Sequence, residues 1–77
     1  MTRSEAKVTI DEMRKSFDLG TKYMLALRCY ETNDYGFQIY IKQEELLMGE
    51  GYQYNDFFNT RDPEKLERML SLICKRR

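Results

Sequence analysis

The chain has 77 residues, 13 Lys plus Arg against 13 Asp plus Glu, and 42% hydrophobic with 13% aromatic residues. That length makes one small domain; the hydrophobic content is too high and the net charge too low for disorder, and a zero net charge leaves no excess to release counterions from a nucleic-acid backbone. No uncharged run approaches the roughly 18 residues that a membrane-spanning helix needs.

The first predicted element is a helix from Ile10 to about Asp18. Thr9 and Glu12 have the spacing of a capping box, Val8 and Met13 that of a hydrophobic staple, and Asp11 and Glu12 suit the positive end of the helix dipole. Its apolar stripe is Ile10, Met13 and Phe17, and Gly20 is placed to end it in a left-handed conformation.

Residues 22–31 and 37–42 then read as the arms of a β-hairpin around Thr32-Asn33-Asp34-Tyr35-Gly36. In the second arm Phe37, Ile39 and Ile41 share one face and Gln38, Tyr40 and Lys42 the other. In the first arm Tyr23, Leu25, Leu27 and Cys29 oppose Met24, Ala26, Arg28 and Tyr30. Residues 22–31 are also good helix formers, with Thr21 as a cap. The strand is preferred because a lone strand over residues 37–42 has no partner.

Gln43 to Met48 favours a short helical turn, stopped by Gly49 and Gly51. Tyr52 to Phe58 reads as a third strand or an ordered loop. The last element is a helix with Asp62 as N-cap, Pro63 in the first turn and an apolar stripe of Leu66, Met69, Leu70 and Ile73. Glu64 and Arg68 form an i, i+4 pair, and Lys75, Arg76 and Arg77 complement the negative end of that helix. The expected architecture is a single α+β domain over residues 1–77. A β-hairpin or three-stranded antiparallel sheet packs against an N-terminal and a C-terminal helix. The expected core is Ile10, Met13, Phe17, Leu25, Leu27, Phe37, Ile39, Ile41, Leu66, Met69, Leu70 and Ile73. A domain this small buries only about 60% of the surface of its unfolded chain, so it has little stability to spare.

The chemistry is defined first by what the chain lacks. There is no histidine, hence neither the commonest general base nor the commonest transition-metal ligand. Glu44 and Glu45 are adjacent and on a helix would diverge; Gly49-Glu50-Gly51 lacks the Lys-Ser/Thr of a phosphate loop; no EF-hand or nucleophile-elbow spacing occurs. The expectation is a protein without catalytic activity, cofactor or metal. Cys29 and Cys74 make no disulfide framework, and residues 1–7 hold no apolar signal region. Both suggest a reducing cytoplasm, with each thiol a small buried hydrophobe.

Charge is unevenly distributed: residues 1–30 carry a net +2, residues 31–67 a net −6 and residues 68–77 a net +4. The acidic middle also holds Tyr35, Tyr40, Tyr52, Tyr54, Phe57 and Phe58. Tyrosines beside acids are suited to a protein interface, supplying rigid anchors and charge complementarity. The candidate contact residues are Tyr35, Glu50, Tyr52, Tyr54 and Asp56. The expected role is an inhibitor or regulator that docks them on a basic site of a larger protein, such as one that normally holds nucleic acid. Small phage or plasmid proteins that disarm nucleic-acid enzymes fit this physics. Direct nucleic-acid or membrane binding is not favoured. Two alternatives stand beside it. With residues 22–31 helical, the first two helices make a DNA-binding helix-turn-helix that offers Lys22 and Arg28. With a hairpin, Met24, Tyr30 and Tyr40 support a homo-oligomer, a homodimer being the simplest.

Overall fold

A computed structural model describes residues 1–44 and 52–77, with the side chains of 43, 44, 52 and 53 outside the description. The element order is α1 (Arg3–Ser16), β1 (Phe17–Asp18), β2 (Tyr23–Glu31), β3 (Asp34–Glu44), β4 (Tyr52–Thr60), α2 (Pro63–Ile73) and β5 (Lys75–Arg76). Strands β2, β3 and β4 form an antiparallel sheet in that order, and β1 pairs with β5 in a second, two-stranded sheet. The α+β architecture expected from the sequence is the one observed, and its sheet has three strands.

Helix α1 starts seven residues before its expected first residue. Thr2, not Thr9, is the N-cap: its hydroxyl accepts from the Glu5 amide at 3.2 Å, and Glu5 Oε1 accepts from the Thr2 amide at 2.9 Å. Thr2–Glu5 has the same spacing as Thr9–Glu12, so local pattern alone cannot choose between the two boxes. Packing chooses. Starting at Arg3 adds Ala6 to the stripe one turn before Ile10, and Ala6 is fully buried. Thr9 becomes an interior residue whose hydroxyl donates to the Glu5 carbonyl, and Val8 is exposed rather than stapled to Met13. The helix ends at Ser16, because Phe17 turns extended and enters β1. Gly20 does adopt a left-handed φ of +63°, in the turn that follows; there the Asp18 carboxylate accepts from its amide at 3.0 Å.

The hairpin closes at Thr32-Asn33, with Asn33 at φ +61° and Glu31 opposite Asp34. Gln43 and Glu44 continue β3 instead of starting a helical turn; the rest of that expected turn lies outside the described residues. Residues 52–60 are a full strand.

Helix α2 begins where the sequence places it: Asp62 Oδ1 accepts from the Glu64 amide at 2.9 Å and Pro63 occupies the first turn. The basic tail does not cap α2. Lys75 and Arg76 leave the helix as β5, and Arg77 closes the end of α1. The Arg77 amide donates to the Ser16 carbonyl at 2.9 Å, and its Nε donates to the carbonyls of Arg14 and Phe17, both at 3.2 Å. These are carbonyls that a helix terminus leaves without an internal partner.

Both helices cover one face of the sheet. Ala6 and Ile10 of α1, Leu66 and Leu70 of α2, and Leu25, Phe37, Ile39 and Phe17 form one buried cluster. Met13, Leu27, Met69 and Ile73 pack against it half-buried, whereas Ile41 lies outside the cluster toward the end of the sheet. Cys29 is exposed, against expectation. Cys74 is half-buried, and burial, followed by the nearby Asp18 carboxylate, pushes its thiol pKa up.

Candidate interaction face

The sheet has a second face that neither α1 nor α2 covers, and strand alternation determines what it presents. Leu25, Leu27, Phe37 and Ile39 point to the helices, so Met24, Ala26, Arg28, Gly36, Gln38, Tyr40 and Lys42 belong to the opposite side. On β4 the pattern depends on one bulge. Ile39 faces Phe58, but Tyr40 faces Asp56, which leaves Phe57 as an extra residue. Phe57 turns to the helix side, where its ring lies 5.6 Å from that of Tyr23, while Phe58 packs against the core. Without the extra residue, Asp56 and Tyr54 would fall on the same face as Ile39. The bulge re-aims them outward.

The open face therefore has two regions. Around its middle, Met24, Tyr40 and Asp56 stand side by side across three strands, with Tyr54 opposite Lys42 in the next row outward. Met24 is 39% exposed and Tyr54 46% exposed, Asp56 is exposed and Tyr40 half-buried. Toward the hairpin turn the face is polar. Gln38 is only 1% exposed, and its Oε1 accepts from Arg28 Nη1 at 3.0 Å. The Tyr30 hydroxyl donates to Asn59 Oδ1 at 3.2 Å, and the guanidinium groups of Arg28 and Arg61 lie 5.1 and 4.3 Å from the Tyr30 ring centroid.

Of the five residues expected to make the contact site, the structure brings Tyr54 and Asp56 together on this face. Tyr35 is on the other side: it pairs with Cys29, shares the alternation of Phe37 and packs against the core. Tyr52 is described by its backbone register alone, opposite Glu44, and Glu50 lies outside the described residues. The sequence already groups Met24, Tyr30 and Tyr40 as an outer hairpin face suited to a homo-oligomer. That this face continues into Tyr54 and Asp56, and that Arg28, Tyr30, Gln38 and Asn59 converge on it, depends on strand register.

The structure also disperses the acidic middle. Asp62 caps α2; Glu64 pairs with Arg68 at 3.7 Å, Glu67 with Arg76 at 3.1 Å and Asp34 with Arg61 at 3.1 Å. Asp56 stays on the open face beside Tyr40, away from these pairs. The second helix required by a helix-turn-helix is not formed, since residues 23–31 are strand β2. Among the described residues no helix is long and apolar enough to cross a membrane. No protein-family model, curated protein or solved structure matches this chain.

Proposed function

We propose that the chain acts by binding another protein, with no chemistry of its own, and that the contact surface is the sheet face away from α1 and α2, around Met24, Tyr40, Tyr54 and Asp56. The observation that carries this reading is the bulge at Phe57. It places an exposed tyrosine and a carboxylate beside exposed Met24 on a surface that the domain does not use for its own core. A tyrosine on a strand is a rigid anchor that loses little entropy on contact, and a methionine adapts to an irregular apolar partner. Asp56 selects a partner with Lys or Arg at the rim. A basic groove that otherwise holds nucleic acid satisfies both requirements, and occupying it makes the chain an inhibitor or regulator.

Capture from a lysate tests the surface with three baits: wild type, Tyr54→Ala/Asp56→Ala, and Leu72→Ala on the outer side of α2, where Leu72 is 81% exposed. A specific partner is expected with wild type and Leu72→Ala and is expected to fall by about tenfold or more with the double variant. Equal recovery by all three baits rejects this face. Sedimentation of the same samples separates a foreign partner from a second copy of the chain, which the Met24–Tyr40 patch also suits.

A further inference from the structure

We propose that the turn-proximal end of the open face is an oxyanion site, built on Arg28, Tyr30 and Arg61, that takes a phosphate or a carboxylate. The assignment is independent of the protein-partner reading above. Tyr30 is the extra residue where the β2–β3 register shifts, and its ring lies over Gly36, where a Cβ would come within 2.6 Å of Tyr30 Cε2. The hydroxyl bond to Asn59 fixes the ring, and two guanidinium groups then share it. Cation–π attraction holds each of them to the ring.

Arg28 is left incomplete. It is half-buried and donates from Nη1 to the neutral amide of Gln38, and its Nε is covered without any acceptor. Among the described residues no carboxylate stands within ion-pair distance of it. Asp34, on the same alternation of β3, already serves Arg61 at 3.1 Å and the Met1 ammonium at 3.4 Å. A half-buried guanidinium with one neutral acceptor lacks the charge partner that its planar fork is shaped to receive. An oxyanion that reaches both Arg28 and Arg61 supplies that partner.

The test is side-chain NMR of the 15N-labelled full chain, titrated with sodium phosphate and, separately, sodium acetate at constant ionic strength held with sodium chloride. Saturable shifts of the Arg28 and Arg61 Nε–H signals and of the Tyr30 ring are expected with at least one anion. Tighter phosphate binding identifies a phosphate ligand; tighter acetate binding identifies a carboxylate. Arg28→Lys keeps the charge and loses the fork, so affinity is expected to fall about tenfold. Arg61→Ala, at an exposed position, is expected to weaken binding comparably without threatening the fold, and Arg68→Ala on α2 to leave it unchanged. Non-saturating shifts with both anions, or wild-type affinity in both Arg28→Lys and Arg61→Ala, overturn the proposal.

Discussion

Gly36 shows how narrowly one residue can be specified. It stands opposite Arg28 in the hairpin, and a Cβ there would meet the Tyr30 ring at 2.6 Å, the Thr60 carbonyl at 2.7 Å and the Arg61 Cα at 3.1 Å. The tyrosine ring can swing away at the cost of its bond to Asn59, but the backbone of β4 is held by its pairing with β3 and cannot. Gly36→Ala is therefore expected to destabilise the protein by about 2 kcal/mol, the cost of forcing extra volume into a filled site. Urea denaturation measures it. The added substitution Tyr30→Ala is expected to recover only part of the loss, because the Thr60 carbonyl remains; full recovery would place the whole conflict on the ring.

Helix α1 is where a local motif has a pH signature. The Thr2 backbone amide, then the Thr2 side chain, hold the Glu5 carboxyl below its ordinary value of 4.5. The folded state thus binds this proton less readily than the unfolded chain does. The stability it contributes is complete above that ordinary value and is lost as pH falls through the lowered folded one. Glu5→Gln keeps a side chain that can accept from the Thr2 amide but removes the ionisation. Thermal melts between roughly pH 5 and 3 are expected to show a shallower decline for Glu5→Gln than for wild type. Parallel declines would mean that the reciprocal bond is not maintained in solution.

At the scale of the whole molecule, stability rests on one thin seam between the helices and the sheet. The Cα extents are 40 × 31 × 16 Å, so the shortest dimension holds just two layers, and among the described residues eight buried hydrophobic ones form the centre. Leu66 and Leu70 are both fully buried and provide the fully buried contacts of α2 with the rest of the core. Leu66→Ala is expected to cost about 2–5 kcal/mol, which is most or all of the margin of a domain this size. Circular dichroism at 25 °C is expected to show a largely unfolded chain. A cooperative melt close to wild type would show that the two-layer seam carries less of the stability than its burial implies.

Several features follow from residue order alone. Asp62-Pro63 and the stripe through Leu66 and Leu70 specify α2, because cap chemistry and a helical period act over neighbouring residues. The alternation of Phe37, Ile39 and Ile41 specifies a strand whose apolar side chains share one face for the same reason. Other features required the folded chain. Two boxes of identical spacing compete for the start of α1, and burial of Ala6 decides between them. Lys75–Arg77 reads as a cap for α2, yet it closes α1, a contact across some 60 positions of sequence. The candidate face was legible only in part, as tyrosines and an acid. A single extra residue in β4 decides that Tyr54 and Asp56 look outward, and the hairpin register decides that Tyr35 looks inward. Strand faces alternate with a period of two, so one bulge inverts every side chain beyond it, and its position is fixed by pairing with another strand.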